Sequence, residues 1–319
     1  MIKKFAAISM ALVLTAGIAV GCGKTQEKTP AAPSPSDNKP AAQGFVPKEL
    51  RVQFVPSQNA ETLEAKAKPL EKLLSARLNI PVKVSVSTDY NTVIEAMASK
   101  QVDVGFLPPT NYVVAHDTKK AADLLLQATR LGVDDATGQS TKDLVDFYKS
   151  MIIVKADSPI KDIKDLKGKK IGWQGTTSAA GYTYPALLLK KNGIDPQTDV
   201  QGIQFQGHDK AVIGLLNGQV DAVAVFQDAR VTVQKDFPDV FKNTRVLSFT
   251  DKIPNDTISV RSDMDQEWRK KISDAFIAIG NDPEGQKIIF DVYSHKGYVP
   301  GKDENFNLVR DANKQLGGK

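Results

Sequence analysis

The sequence predicts an α/β protein built from two similar, Rossmann-like lobes joined by a two-stranded hinge. Segments with the apolar pattern of strands alternate with segments that have helical spacing, which is typical of parallel α/β units. One such series occupies residues 50–107, and the same order recurs in residues 169–226. Two extended segments, Tyr148–Ile160 and Thr244–Val260, lead into and out of the second series, which indicates the hinge.

The composition is that of an ordinary globular protein. The chain has 319 residues, of which 41% are hydrophobic and 25% are charged, and such a chain can bury a sizeable core. This length predicts about two domains. The formal net charge is +5. Because Lys and Arg are spread through both halves, with no dense basic run among aromatic residues, nucleic acid is not expected as a partner.

The first 22 residues have the pattern of a secretory signal. Two lysines precede the apolar stretch Phe5–Val20, which is short for a membrane span. Small residues then lead to Cys22, an arrangement that resembles the bacterial lipobox, although Ala19 stands where that motif usually has Leu. The resemblance implies a lipoprotein signal at residues 1–22. It also implies that Cys22 is lipidated and anchors the protein to the cell membrane, on the extracytoplasmic side.

Cys22 is the only cysteine, so an internal disulfide is excluded. An ordinary cleaved signal with a stray thiol is an alternative. An uncleaved transmembrane anchor is another, and it would still place the rest of the chain outside.

Residues 23–47 are rich in Pro, Ala, Ser and Lys and lack apolar periodicity. They therefore predict a flexible tether.

The first series of elements opens with a buried strand, Leu50–Val55. Residues 56–79 then have the apolar spacing of a helix, with a kink expected at Pro69. Pro109 can open a further helix at its first position. Between these lie a strand, a short helix and a strand, at residues 81–87, 89–100 and 101–107.

The second series repeats this order, and residues 92–106 are similar in sequence to residues 211–226. Such a repeat predicts one α/β unit in each lobe. Its elements are a strand, a helix, a strand, a helix and a strand, at residues 169–173, 176–193, 199–205, 208–218 and 219–226.

The lobe boundaries follow from the two hinge segments. We place the first lobe at residues 48–149 plus 252–319 and the second at residues 150–251. Residues 266–280 and 283–293 have helical spacing, and we expect these helices to pack back onto the first lobe.

The repeated units also predict where a ligand binds. In open α/β sheets ligands lie beyond the carboxyl ends of the strands, and two facing lobes would bring those ends to one cleft. Thr110, which follows the third strand of the first lobe, is a candidate ligand-binding residue. The segments at this rim are residues 56–59, 89–91, 108–112, 174–182, 207–210 and 227–230.

The segment Gly175–Tyr182 has the features of an anion site. A strand ends, a glycine turns, and the hydroxyls of Thr176, Thr177 and Ser178 precede a helix. Free N–H groups at a helix start, with hydroxyl donors beside them, suit a phosphate-like group. The segment lacks the Gly-Lys-Ser/Thr ending of a P-loop. Simple capping of the helix, with nothing bound, is the alternative.

His208 lies at another strand-to-helix junction on the same rim. A neutral imidazole donates one hydrogen bond, and a charged imidazolium can pair with an oxyanion. The alternative is a solvated turn residue followed by a capping Asp209. No second histidine or acidic cluster with ligand spacing accompanies it, so neither a metal site nor a cofactor is expected.

Asp256 follows Pro254 and Asn255 at the return hinge, which can be a plain turn. A carboxylate in an anion site is useful only if the ligand keeps a proton on oxygen or carries an ammonium group. Tyr90 and Tyr148 stand at a helix start and at the outgoing hinge strand, where each could donate an O–H or be half-buried core.

Several long matches give the chain a specific resemblance. Residues 49–298 resemble the phosphonate, phosphite and phosphate-binding proteins of ABC importers, which have the type II periplasmic binding-protein fold. The resemblance implies that Ser178, His208, Asp256, Tyr90 and Tyr148 hold the ligand. The segments that carry it are residues 89–109, 148–173, 178–185, 207–222 and 253–260.

The chain departs from the family at one point. The usual helix start is Ser-Thr-Ser-Gly-Tyr, whereas this chain has Ala179 and Ala180 after Ser178. Thr176 and Thr177 are candidates to replace the missing hydroxyls. The loss favours a ligand with fewer oxygens, or one with an apolar group facing the alanines.

The resemblance implies a monomeric solute-binding protein that captures a small phosphorus oxyanion and delivers it to a membrane permease. An enzyme such as a phosphatase would need a nucleophile with a base, or metal ligands, and neither pattern is present. A binding protein of the same fold for another anion such as a sulfonate, or a sensor lobe of a membrane receptor, stays an alternative.

Overall fold

The computed structural model describes residues 44–136 and 140–317. The predicted signal peptide, Cys22 and the tether as far as residue 43 lie outside the described residues. Among those described, no helix has both the length and the apolar character that a membrane crossing needs.

The first sheet has seven strands, in the order β12-β4-β11-β3-β1-β2 with β5 beside β4. Strand β1 pairs in parallel with β2 and β3, while β11, β4, β12 and β5 are added in antiparallel pairs. The strands are β1 Leu50–Phe54, β2 Val82–Val86, β3 Val104–Leu107, β4 Ala122–Val133, β5 Ser140–Val145, β11 Thr257–Arg261 and β12 His295–Pro300.

The second sheet has five strands, in the order β10-β6-β9-β7-β8. Strand β7 pairs in parallel with β8 and β9, and β6 runs antiparallel to both β9 and β10. The strands are β6 Phe147–Lys155, β7 Lys170–Trp173, β8 Gln201–Gln204, β9 Ala222–Phe226 and β10 Thr244–Pro254.

The two sheets share one plan, as the internal repeat predicts. In each, the first parallel strand lies between the second and the third, and an antiparallel strand follows the third. The α/β class is confirmed. The antiparallel strands β4, β5 and β12 were not predicted, because they come from stretches outside the repeat.

Helices cover both sheets, and their ends follow local sequence signals. The predicted kink at Pro69 is a break between two helices, since proline cannot donate to the preceding turn. The helices are α1 Ala60–Ala67, α2 Leu70–Leu78, α3 Tyr90–Ala98, α4 Pro109–Val113, α5 Tyr184–Lys191, α6 His208–Leu216, α7 Val240–Asn243, α8 Gln266–Asn281, α9 Pro283–Tyr293 and α10 Asn307–Gln315.

The chain passes between the sheets at two adjacent points. Asp146 separates β5 from β6, and Asn255 with Asp256 separates β10 from β11. The N–H of Asn255 donates to the carbonyl of Asp146 at 2.7 Å, and its side-chain amide donates to the carbonyl of Ala128 at 3.0 Å. The carbonyl of Asp256 accepts from the N–H of Ala128 at 2.8 Å. These bonds fix where Asp256 stands.

Replacing Asn255 with Ala should lower the free energy of unfolding by about 1–3 kcal/mol, because the buried carbonyl of Ala128 loses its side-chain donor. Urea denaturation at pH 7 measures the change. Asn192→Ala is the matched control. It removes a bond only to Leu188 within one helix and should cost clearly less. Equal losses in the two variants would contradict this role for Asn255.

Candidate functional site

A cavity of about 440 Å³ lies where the carboxyl ends of both sets of parallel strands meet. Each of the six parallel strands contributes to its lining, directly or through the residues that follow it. Five of the predicted site residues lie on this lining: Tyr90, Tyr148, Ser178, His208 and Asp256. Strand-end residues on the lining are Ser57 after β1, Tyr90 after β2, Pro108 after β3, Ser178 after β7, His208 after β8 and Gln227 after β9.

Tyr90 is placed by the start of helix α3. The Asp89 carboxylate caps that start by accepting from the N–H groups of Asn91 and Thr92 at 2.7 and 2.9 Å. The next side chain, Tyr90, turns into the cavity, where its hydroxyl lies 3.5 Å from Nε2 of His208. Burial raises the pKa of the Tyr90 phenol well above its ordinary value. The phenol therefore keeps its proton at neutral pH and can donate a hydrogen bond.

His208 is a neutral donor in this cavity. The N–H of Phe226 donates to its Nδ1 at 3.3 Å, so Nδ1 is the unprotonated nitrogen and Nε2 carries the hydrogen. Burial lowers the pKa of His208 to about 3, against the opposing effect of Asp256. Of the two states that the sequence left open, the structure favours the uncharged one.

Ser178 caps the π-helical turn Ala179–Thr183, which runs directly into α5. Its hydroxyl oxygen accepts from the N–H of Gly181 at 3.1 Å. A side chain at Gly181 would not fit, because its Cβ would lie 1.9 Å from Oε1 of Gln174. The first N–H groups of a helix have no acceptor inside it. Those of this turn belong to Ala179 and Ala180, and Ala180 lines the cavity.

The structure does not bring Thr110, Thr176 or Thr177 to the cavity lining. Thr176 is exposed. The hydroxyl of Thr177 donates to Oδ1 of Asn91 at 2.9 Å, and that of Thr110 donates to the hydroxyl of Thr183 at 3.1 Å. Both bonds connect residues of the first sheet's unit to residues of the second's. Thr110 and Thr177 therefore bridge the two units, and neither Thr176 nor Thr177 lies on the cavity lining.

Asp256 is a buried and ionised carboxylate. Its Oδ2 lies 3.2 Å from Nε2 of His295 and 3.8 Å from Nη2 of Arg130. Burial alone would raise the pKa of Asp256, but the hydrogen bond from His295 and the charge of Arg130 hold it below its ordinary value. Asp256 thus faces the donors of the site as an acceptor-only group.

His295 orients Asp256. Burial lowers the pKa of His295 although Asp256 opposes this, so the imidazole is neutral at pH 7 and donates from Nε2 to the carboxylate. Its Nδ1 then accepts from the Tyr298 hydroxyl, which lies at 3.4 Å. Burial raises the pKa of that phenol, which stays protonated.

Tyr148 belongs to strand β6, and its side chain lies near Asp256. Burial and the charge of Asp256 raise the pKa of its phenol, so this group is also a donor. The guanidinium of Arg130 stands over its ring, 4.7 Å from the centroid.

Sequence reasoning missed Arg130 and His295. They are register partners in the antiparallel pair of β4 and β12, two strands that lie outside the internal repeat. The available signal was chemical: Arg130 is the only charged residue in the run Leu124–Val133, and His295 is one of three histidines. Among the described residues, no group of three or more His, Cys, Asp or Glu could hold a metal ion.

Comparison with known proteins identifies the family. A family model described as "ABC transporter, phosphonate, periplasmic substrate-binding protein" matches residues 52–306. This chain belongs to that family. Its members are substrate-binding proteins and not enzymes, as the sequence predicts.

Two relatives of this family member have names that refer to phosphorus compounds. The phosphate-import protein PhnD of Mycolicibacterium smegmatis is 28% identical over 231 residues, which are 70% of this chain and 65% of that protein. The chain therefore spans just under two thirds of that relative. The phosphonates-binding periplasmic protein of Escherichia coli is 24% identical over 247 residues, 76% of this chain and 69% of the relative.

A solved structure confirms the fold of this family member. PhnD1 of Prochlorococcus marinus, in complex with methylphosphonate, superposes with a TM-score of 0.71 at 17% identity, over 85% of this chain and 99% of that one. The predicted two-lobed fold of periplasmic binding proteins is thereby confirmed.

The neutral state of His208 predicts a pH dependence of stability. Between about pH 6.5 and about pH 3 the unfolded chain binds a proton that the buried imidazole does not. Stability due to His208 is therefore full above pH 6.5 and is lost as the pH falls, by up to about 1.4 kcal/mol per unit. The unfolding free energy of His208→Gln should fall less steeply over this range in urea titrations. Parallel curves for wild type and variant would contradict a neutral, buried His208.

Proposed function

We propose that this chain is the extracytoplasmic solute-binding component of an ABC importer and binds a small phosphorus oxyanion (a phosphonate, phosphite or phosphate-like ligand) in the cavity between the sheets. One observation carries this: the cavity presents the donors of Tyr90, Tyr148, Ser178 and His208 to the same space as the buried, ionised acceptor Asp256.

The donors match the oxygens of a tetrahedral anion. Each phosphoryl oxygen can accept more than one hydrogen bond, and hydrogen bonds to a charged acceptor are the stronger kind. The two phenols and Nε2 of His208 are donors that stay protonated at neutral pH. The N–H group of Ala180, which lines the cavity, adds a donor at a helix start.

Asp256 selects the ligand's protonation state. An ionised carboxylate accepts a hydrogen bond from a P–OH group or an ammonium group and repels a fully deprotonated oxyanion. A ligand that retains one proton, or carries an amine, satisfies both Asp256 and the donors opposite it. A sulfonate has no such proton at neutral pH, so the site favours phosphorus over sulfur.

Capture proceeds by closure of two lobes. We assign residues 48–149 plus 252–319 to the first lobe and residues 150–251 to the second, with motion at the crossings near Asp146 and Asn255. The bonds Thr110–Thr183 and Thr177–Asn91 join the two units in this structure, and bonds of this kind favour a closed form. Ligand bound between the lobes adds to that preference, and the closed form is delivered to the permease.

The anchor and the assembly state complete the proposal. Cys22 carries the lipid and residues 23–43 form the tether, since Phe45 already pairs with Met264 of the folded part. A monomer would thus stay at the extracytoplasmic face of the cell membrane within reach of its permease. The names of the relatives, one a phosphate-import protein and the other a phosphonates-binding protein, support a phosphorus ligand.

Calorimetric titration of the full chain in detergent tests the ligand class. Phosphite, methylphosphonate, 2-aminoethylphosphonate, phosphate and an alkanesulfonate form the panel. We expect at least one phosphorus anion to bind with a Kd in the micromolar range or below, and the sulfonate to bind at least about 100-fold more weakly, since an unpaired buried carboxylate is costly. His208→Gln should weaken the phosphorus ligand about 10-fold to 100-fold.

Two results would contradict this function. If no phosphorus anion bound, the proposed ligand class would be wrong. Tight binding of the sulfonate alone would assign the cavity to a different solute within the same fold.

A further inference from the structure

We propose that Arg130 contacts the bound anion directly and supplies the positive charge that allows Asp256 to share the cavity with it. Arg130 is then a specificity-determining residue of the site, beyond the hydroxyl, imidazole and carboxylate groups that the sequence indicated. The inference rests on the proposed function, since it concerns the anion held in the same cavity.

The position of Arg130 is fixed by strand pairing. It lies near the end of β4, opposite His295 of β12, and its side chain lines the cavity. Only 11% of that side chain is exposed, so its charge acts at low dielectric, where electrostatic interactions are strong. The charge is therefore directed at the cavity and not at bulk water.

The guanidinium of Arg130 has N–H groups that are not hydrogen-bonded within the protein. Nη2 donates to the carbonyl of Tyr293 at 3.4 Å, and the plane of the group stands over the ring of Tyr148. Within residues 44–136 and 140–317, the buried Nε of Arg130 has no hydrogen-bond partner. A guanidinium carries five N–H donors, so an oxygen of a bound anion can accept from it without breaking an existing bond.

Asp256 does not accept a hydrogen bond from Arg130. The separation of 3.8 Å between Nη2 and Oδ2 is too long for a hydrogen bond. The same oxygen of Asp256 is already bonded to His295, at 3.2 Å. The two charges lower each other's energy through space, while the N–H groups of Arg130 stay available.

The charge balance of the cavity makes Arg130 necessary. The imidazoles of His208 and His295 are neutral, and the phenols are protonated, so none of them offsets Asp256. An anion entering beside Asp256 without Arg130 would meet only a negative charge at this end of the site.

The other charged groups near the cavity are paired or lie at its rim. Asp228 is held by two bonds from Arg230, at 2.9 and 3.1 Å, and Asp291 is bonded to Lys287 at 2.6 Å. Lys66 is half-buried on the lining. On the far side of Arg130, a second groove carries Asp134, Asp135, Asp143, Lys149 and Lys252, of which Asp135 pairs with Lys149.

A purely structural role is the competing explanation. Arg130 could serve only to hold the Tyr293 carbonyl and the Tyr148 ring. Both roles predict weaker binding when Arg130 is removed, so a single substitution does not separate them. They differ in what happens when the negative charge of Asp256 is then removed as well.

The experiment is a double-mutant cycle measured by calorimetric titration of the full chain in detergent. It uses wild type, Arg130→Gln, Asp256→Asn and the double variant, with phosphite and methylphosphonate as probes at pH 7. Arg130→Lys keeps the charge, and Lys270→Gln, on an exposed face of α8, is the control for a change of net charge. Thermal melts confirm that each variant is folded.

The expected signature is a change of sign. Arg130→Gln should weaken binding about 10-fold to 100-fold, because a charged hydrogen bond is lost and Asp256 is left uncompensated. Asp256→Asn should weaken binding in the wild-type background but strengthen it in the Arg130→Gln background. Arg130→Lys should retain more affinity than Arg130→Gln, and Lys270→Gln should bind as wild type.

Three results would overturn the inference. Wild-type affinity in Arg130→Gln would mean that Arg130 does not contact the anion. Weak binding in Arg130→Gln that Asp256→Asn does not improve would mean that the role is structural. If wild type binds a phosphorus anion, either result leaves the proposed function intact, whereas silence of the wild type towards both probes and the remaining phosphorus anions would overturn both.

Discussion

The site depends on keeping the carboxylate of Asp256 ionised inside a buried cavity. Burial alone would raise the pKa of Asp256, but the bond from His295 and the nearby charge of Arg130 hold that pKa below its ordinary value. Once Asp256 is fixed as an acceptor, the remaining groups must be donors, and Tyr90, Tyr148 and His208 are all held in their protonated or donor forms by the same burial. The ligand that we propose for such a cavity is an anion that retains one proton or carries an ammonium group.

The fold brings these groups together because both halves follow one plan. In each half, three parallel strands end at the same edge of the sheet. The second half lies in sequence between two crossings, which hydrogen-bond to each other near Asn255. Asp256 stands at one crossing and Tyr148 two residues beyond the other, so both belong to the region where we propose that the two units move. Ligand contacts there would be coupled directly to closure.

Much of this arrangement could be predicted from the sequence, because it rests on local signals. The cap at Asp89 and the glycine before His208 set helix starts, and those starts place Tyr90 and His208. The π-helical turn was harder: adjacent hydroxyls at Thr177 and Ser178 point to different partners, and no periodicity decides between them. Arg130 and His295 could not be predicted from pattern alone, since they meet through antiparallel pairing between strands more than 160 residues apart in sequence.

The most direct test is histidine-selective 15N NMR of the full chain in detergent, with His208→Gln and His295→Gln to assign the signals. The account requires His208 to be neutral and protonated on Nε2 from pH 5 to pH 8, and His295 to be neutral and protonated on Nε2 at pH 7. The Nε2 signal of His208 should shift when a phosphorus anion is added. An imidazolium at His208 in this range, or a proton on its Nδ1, would contradict the claim that neutral donors face an ionised Asp256.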